Sequence, residues 1–236
     1  MSMFPFRVAI VSAALALMPL LNVGAAGAAG SNGEQARIEQ ALKAYASKLR
    51  ADQDTARDQL IAGKTTALLD DPLTPILGDR QADIAVVEFF DYACPYCKAV
   101  EPRLEKLLKD DKRVKLVVKE FPILTPESLI AAKAALASVK QGKYERFHQA
   151  LINFRGRLLT STIFEIAEDV GLDVDRLRKD MLAPEVTDEI IANFNLARGL
   201  RIFETPTFIV GTHMLTEPSA EIDFPKVVAD ARAKRN

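Results

Sequence analysis

The sequence is poor in the residues that build metal centres. Its 236 residues include two cysteines and two histidines. A structural zinc site needs four ligands, most often thiolates or imidazoles at paired spacing. Cys94 and Cys97 form one such pair, but His148 and His213 do not form a second. We therefore predict no metal site and interpret both histidines as structural.

The sequence also lacks an excess of charge of either sign. Its 31 basic and 32 acidic residues leave a net charge of -1 at pH 7. This balance gives no indication of a nucleic acid or of another polyanion as a partner. Hydrophobic residues make up 49% of the chain, which is enough for a core in one domain or two small ones.

Long apolar runs are lacking as well. The run from Val8 to Leu21 contains Pro19 and is shorter than the roughly 20 residues that a membrane-spanning helix needs. Arg7 precedes the run, and the small residues Ala26-Gly27-Ala28 follow it, as in a cleavable signal peptide. We expect residues 1–28 to be removed and the mature protein to be exported, to a bacterial periplasm.

The two cysteines lie where a strand is predicted to pass into a helix. The run from Ile84 to Phe90 is apolar, β-branched and aromatic, whereas Lys98 to Lys109 has apolar residues at helical spacing. Cys94 then lies at the start of the helix, where free N–H groups and the helix dipole favour a thiolate. Pro95 suits the first helical position, since its missing N–H has no partner to lose.

A purely structural disulfide between Cys94 and Cys97 is the other interpretation of the motif. It would close a very small loop, and the stabilisation that a disulfide provides grows with loop length. In an exported protein, a dithiol also lies in an oxidising compartment. We therefore predict a redox-active pair and no cofactor beyond it.

An N-terminal helical arm with its linker is predicted over residues 29–70, with a break near Asp70-Asp71-Pro72. Its apolar residues repeat at spacings of four, three and four, which is a narrow two-in-seven seam. The seam consists of Ile38, Leu42, Tyr45 and Leu49. A helix with so narrow an apolar seam is only marginally stable on its own in water. It could pack on its own domain, or residues 31–62 could join two or three chains into a homo-oligomer.

The fold class predicted for the chain is α/β. Leu73 to Gly78 is predicted to form an edge strand. The strand Ile84 to Phe90, the helix after it and a second central strand over Val114 to Glu120 predict a parallel βαβ unit. Helical patterns fill the segment from about 123 to 203. A β-hairpin over 205–215 and a last helix from Ser219 to Lys234 follow. We place the whole domain at residues 71–236.

These features together resemble the DsbA family. The residues that carry the resemblance are C-P-Y-C, V-V-E-F-F-D-Y upstream of it, and T-P before the hairpin. The resemblance covers Leu73 to about Lys234 and implies a thioredoxin fold with an inserted helical subdomain. The phrases KEFPIL, AAKAAL, GKYERFH and TPTFIVG look most similar to the branch that includes ScsC, the suppressor-of-copper-sensitivity protein. In that branch, some members have an N-terminal arm that makes a trimer and confers disulfide isomerase activity.

The resemblance implies roles for three residues in the exchange chemistry. Cys94 matches the family's exposed nucleophile, and Cys97 matches its buried resolving cysteine. Glu88, six residues before Cys94, matches a buried acidic residue beneath the dithiol. Its place inside an apolar strand favours burial over a surface position.

The remaining site residues match the family's substrate-binding loop and active-site dipeptide. Pro206 matches the cis-proline, which holds substrate as an extended strand, together with Thr205. The dipeptide Pro95-Tyr96 departs from the Pro-His of the strong oxidase of the family. Thr205 also departs from that oxidase and resembles the isomerases. We therefore expect the Cys94–Cys97 pair to be less oxidising than the pair of that strong oxidase.

Three functions follow as hypotheses. The first is an oligomeric periplasmic isomerase or reductase, which acts on exported proteins with cysteines and is kept reduced by a membrane partner. The second is a monomeric disulfide oxidase. The third is a copper-binding or copper-tolerance protein that uses the two thiolates as soft ligands for Cu(I).

Overall fold

The structure, a computed structural model, describes residues 28–69, 74–215 and 218–234, with side chains from residue 33 onward. The chain divides into two compact units, Met1–Arg50 and Ala51–Asn236. The predicted signal peptide lies outside the described residues except for Ala28, as does the predicted break at Asp70-Asp71-Pro72.

Nine helices and five strands are found in the described residues. In chain order they are α1 Ala28–Ala62, α2 Thr65–Leu69, β1 Ile76–Gly78, β2 Ile84–Phe90, α3 Pro95–Asp110, β3 Val114–Glu120, α4 Pro126–Ser138, α5 Tyr144–Asn153, α6 Thr160–Asp169, α7 Val174–Asp180, α8 Pro184–Gly199, β4 Thr207–Val210, β5 His213–Leu215 and α9 Phe224–Ala233. Helices α4 to α8 lie in sequence between β3 and β4.

The strands form one mixed sheet in the order β1-β3-β2-β4-β5. β2 and β3 are parallel and α3 connects them, which confirms the predicted βαβ unit. β1 pairs with β3 at one edge, and β4 pairs antiparallel with β2. The predicted hairpin is also confirmed, since β4 and β5 pair antiparallel across Gly211, whose φ of 63° suits glycine.

The two faces of the sheet have separate cores because successive side chains of a strand point to opposite faces. Val86 and Phe90 of β2 belong to the larger cluster, which also contains residues of α3, α4 and α5. Val87 and Phe89 belong to the smaller cluster, with residues of α2 and α8. Both faces of β2 are therefore buried, as the continuous apolar run predicts.

The unit Met1–Arg50 contains most of α1, and the predicted helical arm is thus confirmed as a helix. The apolar side chains of the predicted seam are all exposed, with exposed fractions between 43% and 63%. Farther along α1, Ile61 is fully buried and belongs to the core of the second unit.

The start of the last helix was predicted wrongly. α9 begins at Phe224 rather than near Ser219. The cap is Asp223, whose side chain accepts a hydrogen bond from the backbone N–H of Lys226, and Pro225 follows in the first turn. An aspartate followed by proline is a stronger start signal than an isolated serine.

None of the helices in the described part of the chain has both the length and the apolar content that crossing a bilayer requires.

Candidate active site

Cys94 is the N-cap of α3, as the sequence predicts. Its backbone is extended (φ -73°, ψ 118°), and Pro95 occupies the first turn. Sγ of Cys94 accepts a hydrogen bond from the backbone N–H of Cys97 over 3.4 Å. This sulfur therefore takes the place of the serine or aspartate oxygen that usually caps a helix, and negative charge on it is stabilised by the helix N-terminus. Both cysteines are free thiols.

The sequence predicts an exposed Cys94, and on this point the structure differs. Cys94 exposes 2% of its surface, little more than Cys97. The cause is the loop before β4, where the backbone carbonyl of Thr205 accepts a hydrogen bond from the Cys94 thiol over 3.2 Å. This loop therefore covers most of the sulfur of Cys94.

The two thiols have opposite acidity. Hydrogen bonding from Cys97 lowers the pKa of Cys94 to about 6, against the opposing effect of burial and with help from the backbone N–H groups of Cys97 and Tyr96. Burial raises the pKa of Cys97 far above its ordinary value, as do its hydrogen bond to Cys94 and the nearby Glu88. Above about pH 6, Cys94 is thus the thiolate, whereas Cys97 holds its proton. The hydrogen bond to the Thr205 carbonyl belongs to the protonated form of Cys94.

Glu88 lies in the middle of β2, opposite Val118 of β3 and Phe208 of β4, and its side chain is buried. Burial raises its pKa well above the usual range, and the neighbouring charges of Glu101 and Cys94 add to the effect. A carboxyl group with a raised pKa beside a buried thiol can exchange a proton with it near neutral pH.

Asp91 is a site residue that the sequence analysis missed. Its buried carboxylate accepts hydrogen bonds from the backbone N–H groups of Ala93, Ile123 and Leu124, over 2.7 to 2.9 Å, and from the Ser128 hydroxyl over 2.6 Å. Asp91 thereby joins the loop that leads to Cys94 with the loop that follows β3. Its position three residues before Cys94 is the feature of the sequence that could have identified Asp91 as a site residue.

Glu101 and Glu120 are two more buried carboxyl groups that the sequence analysis missed. Glu101 lies four residues after Cys97 and therefore on the same face of α3. Burial raises the pKa of Glu101 to about 7 and raises that of Glu120 well above its usual range. The helical spacing from Cys97 could have identified Glu101; nothing local distinguishes Glu120.

The histidines occupy very different environments. His148 is fully buried on α5, and the hydroxyl of Tyr92 lies 2.9 Å from its Nδ1. His213 of β5 is half-buried, with Nδ1 3.6 Å from a carboxylate oxygen of Asp58. Tyr92 and Phe90 lie at the junction between β2 and the loop before α3. Both are core residues, and their rings make an edge contact at 4.8 Å.

The predicted substrate loop meets the dithiol directly. The peptide bond between Thr205 and Pro206 is cis, as the sequence predicts, and Pro206 directly precedes β4. Both residues are half-buried. Tyr96, two residues after Cys94, and Phe203, two residues before Thr205, are exposed aromatic side chains. Apolar surface for a substrate chain is therefore present on both segments.

No group of three or more histidine, cysteine, aspartate or glutamate side chains in the described ranges is arranged to hold a metal ion.

Comparison with protein families gives a match to the DSBA-like thioredoxin domain over residues 85–224. This segment begins in β2, includes the dithiol and the cis-proline, and ends at the start of α9.

Solved structures give the same fold. A thioredoxin-like oxidoreductase from Silicibacter pomeroyi is 40% identical and superposes with a TM-score of 0.67, covering 71% of this chain and 97% of its own. A linker-deletion mutant of ScsC from Proteus mirabilis is 25% identical and has a TM-score of 0.72. It covers 90% of this chain and 100% of its own.

Curated relatives include a protein named Na(+)/H(+) antiporter NhaA 3 from Salinispora tropica. It is 32% identical over 137 residues, which are 57% of this chain and 21% of that protein. The chain thus spans about a fifth of the length of this relative.

Proposed function

The chain belongs to the DSBA-like thioredoxin domain family and is a thiol–disulfide oxidoreductase of the DsbA/ScsC type, and on this basis we propose that it is an exported disulfide isomerase that assembles through its N-terminal helix. Its redox group is the Cys94–Cys97 pair alone. The exposed seam of α1 is the observation that carries the isomerase proposal.

Four exposed apolar side chains at two-in-seven spacing are the pattern by which helices form coiled coils of two or three chains. The seam consists of Ile38, Leu42, Tyr45 and Leu49. The ScsC structure that covers 90% of this chain supports a relationship that extends beyond the family domain. An oligomer places several dithiols around one substrate, so that a disulfide broken at one site can re-form under the control of another.

The chemistry begins at Cys94. Its thiolate attacks a substrate disulfide, forms a mixed disulfide and releases one substrate thiolate. In isomerisation, a substrate thiolate then attacks the mixed disulfide, a new substrate disulfide forms, and Cys94 leaves as a thiolate with no net change in electrons.

Cys97 resolves a mixed disulfide that does not rearrange. It loses its proton, attacks the sulfur of Cys94 and releases the substrate thiolate. Two electrons have then passed to the substrate, and the Cys94–Cys97 disulfide remains. A dithiol partner in the membrane must reduce that disulfide before the next turnover. Glu88 is the proposed acceptor of the Cys97 proton.

The periplasm is the proposed location, on the strength of the signal-peptide pattern in residues 1–28. Exported proteins with several cysteines are the proposed substrates, because only they need disulfides rearranged. The exposed rings of Tyr96 and Phe203 offer contacts to unfolded, apolar segments of such proteins.

The test is a single charge placed in the seam of the full-length chain. Leu42→Glu should convert the oligomer into a monomer and abolish the repair of a substrate with scrambled disulfides. The variant should still reduce a small disulfide at the wild-type rate, because α3 is unchanged. Gln40→Glu adds the same charge on the opposite face of α1 and should change neither property.

Sedimentation and isomerase assays on the three proteins decide the matter. A wild-type protein that sediments as a monomer, or a Leu42→Glu monomer with full isomerase activity, would contradict the proposal. A monomeric wild type that oxidises reduced substrates efficiently would instead support the oxidase alternative, which the lowered pKa of Cys94 also favours.

A further inference from the structure

Three positively charged side chains lie close to the first turn of α3, and the exchange chemistry described above leaves them without a role. They are Lys98 of α3 and two residues of the loop between α5 and α6, Arg155 and Arg157, and we call them the cationic patch. The whole chain has a net charge of -1, so the patch is a local feature. Charge concentrated beside a reacting group can select among substrates of different charge.

Lys98 lies one helical turn after the nucleophile. Its backbone N–H donates to the carbonyl of Cys94 over 3.1 Å. Side chains four positions apart on a helix are neighbours, with their Cβ atoms about 5–6 Å apart. Helical side chains also lean toward the N-terminus of their helix, which here is the end that Cys94 caps. The stem of Lys98 therefore lies beside Cys94.

The ammonium group of Lys98 connects α3 to the loop that contains the two arginines. Its Nζ donates to the backbone carbonyl of Phe154 over 2.7 Å and lies 5.9 Å from the centre of the Phe154 ring. That carbonyl belongs to the peptide bond between Phe154 and Arg155, so the backbone of Arg155 lies next to Nζ. Burial lowers the pKa of Lys98, and the charge of Arg155 adds to this effect, against the opposing charge of Asp91.

The chain that leaves α5 runs along α3 toward Cys94. Asn153, the last residue of α5, donates from Nδ2 to Oε1 of Glu105 over 3.3 Å. The next residue, Phe154, meets Lys98, which is seven positions and about two turns closer to the N-terminus of α3. The residues after Phe154 are thus brought to the end of α3 where the nucleophile lies.

The two arginines have no other partner among the described residues. Both side chains are exposed, and neither guanidinium group forms a hydrogen bond or an ion pair with any residue that the structure describes. Gly156 separates them with a φ of 153°, and a Cβ at this position would lie 3.0 Å from the Phe154 ring. The turn between Arg155 and Arg157 therefore requires glycine. Their charges are available to a bound molecule.

The acidic groups near the patch do not neutralise it. Asp91 is buried and accepts four hydrogen bonds, and burial raises the pKa of Glu101 to about 7. Glu105 accepts a hydrogen bond from the end of α5. On the cis-proline loop, the exposed Glu204 is offset by the exposed Arg201. The surface beside the nucleophile is therefore positive on the side of the loop between α5 and α6.

We propose that the cationic patch selects substrates in which carboxylate groups flank the disulfide. The proposal rests on the attack by Cys94 in the proposed function and names the substrate class of that site. While the Cys94 thiolate attacks one sulfur, the patch binds carboxylates of the same molecule through charge-assisted hydrogen bonds. It makes and breaks no covalent bond, so its three residues determine specificity rather than perform the exchange.

The nucleophile alone predicts the opposite preference. A thiolate repels an anionic disulfide and attracts a cationic one. A pair of unit charges about 4–10 Å apart in water changes a rate by about two- to fivefold, so three cations can outweigh the single negative charge of the sulfur. The sign of the charge preference therefore tests the proposal.

The first test uses the unaltered, reduced protein and three small disulfides. Oxidised glutathione is anionic, 2-hydroxyethyl disulfide is neutral and cystamine is cationic. Acid quenching and mass spectrometry give the rate of attack by Cys94 at ionic strengths of about 0.01 M and 1 M, where the screening length falls from about 30 Å to 3 Å. Salt should slow the reaction with oxidised glutathione by about fivefold and accelerate that with cystamine. Opposite slopes, or no slopes, would overturn the proposal.

Variants locate the charges. Arg155→Gln and Arg157→Gln should each lower the ratio of the oxidised glutathione rate to the cystamine rate by about fourfold or more, since attraction and repulsion are both lost. The intrinsic reactivity of each disulfide cancels, because the same compounds are compared in every protein. Arg146→Gln is the matched control. It removes the same charge at an exposed position of α5, about 10 Å before the end of that helix, and its ratio should stay within about twofold.

The outcomes separate the two proposals. If none of the three disulfides reacts, attack by Cys94 fails, and the proposed function fails with it. If the neutral disulfide reacts but both patch variants behave like Arg146→Gln, the patch does not select substrates and the proposed function stands. If a variant does not fold, the salt dependence of the unaltered protein still decides.

Discussion

Sγ of Cys94 lies 3.4 Å from the backbone nitrogen of Cys97, so the nucleophile caps the helix that carries its own resolving partner. One sulfur therefore receives the stabilisation of the helix N-terminus, whereas the other is buried one turn inside. This arrangement explains why the pKa of Cys94 is lowered to about 6 while that of Cys97 is raised.

We expect the Cys94 thiol of the reduced protein to ionise near pH 6. The rate of alkylation by iodoacetamide should therefore reach half of its maximum near pH 6 rather than near the ordinary cysteine value of about 8.5. Cys97→Ala removes the largest stabilising hydrogen bond and should shift the midpoint upwards. A wild-type midpoint above pH 8 would show that the cap leaves the thiol unactivated.

The lowered pKa of Cys94 also predicts how the stability of the reduced protein depends on pH. A group whose pKa is lower in the folded state stabilises that state above its unfolded pKa, and this stabilisation is lost as the pH falls through about 6. Urea unfolding of wild type and Cys94→Ser, both reduced, should therefore show a wild-type advantage that shrinks between pH 8 and pH 5. An advantage that grows on acidification would contradict this assignment.

Glu88→Gln should slow resolution by Cys97 by about tenfold or more, since the buried base is lost. Attack by Cys94 should change little. Glu165→Gln, at an exposed position on α6, is the control and should leave both steps unchanged. Mixed disulfides trapped with a small thiol give the rate, and an unchanged lifetime in Glu88→Gln would remove Glu88 from the mechanism.

The sheet and the dithiol were predictable because their signals are local. The β-branched run of β2 and the spacing of Cys94 and Cys97 before an amphipathic helix are contained within about 25 residues of sequence. The same holds for α1, whose seam repeats along one helix. Such patterns depend on neighbours in sequence, so no tertiary contact is needed to interpret them.

The interior of the site was not predictable because its contacts join distant segments. Tyr92 and His148 are 56 positions apart, and Asp91 and Ser128 are 37 apart. A lone buried histidine looks the same in sequence whether it only fills space or also makes a hydrogen bond. The low exposure of Cys94 has the same origin, since its covering carbonyl comes from Thr205, 111 positions away.

Asp91→Asn should destabilise the protein by about 3 kcal/mol, since an amide retains one acceptor oxygen where a carboxylate has two. The four donors that the carboxylate accepts would then compete for one oxygen. Ser128→Ala removes one of these donors and should cost about 1 kcal/mol. Urea unfolding measures both. Equal losses in the two variants would mean that the backbone N–H groups of Ile123 and Leu124 do not depend on Asp91.

His148 should make the fold sensitive to acid, because its ring is fully buried. Burial holds the pKa of His148 at about 3, whereas an unfolded histidine titrates near 6.5. The folded state thus binds fewer protons, and stability falls as the pH drops from about 6.5 towards 3, by about 1.4 kcal/mol per pH unit for this group.

Unfolding of wild type and His148→Gln across this range should therefore give a difference in stability that changes with pH. A constant difference for His148→Gln would mean that the ring gains a proton without unfolding. Glu101, whose Oε1 lies 4.0 Å from Nε2, is the carboxyl group that would then pair with the charged ring.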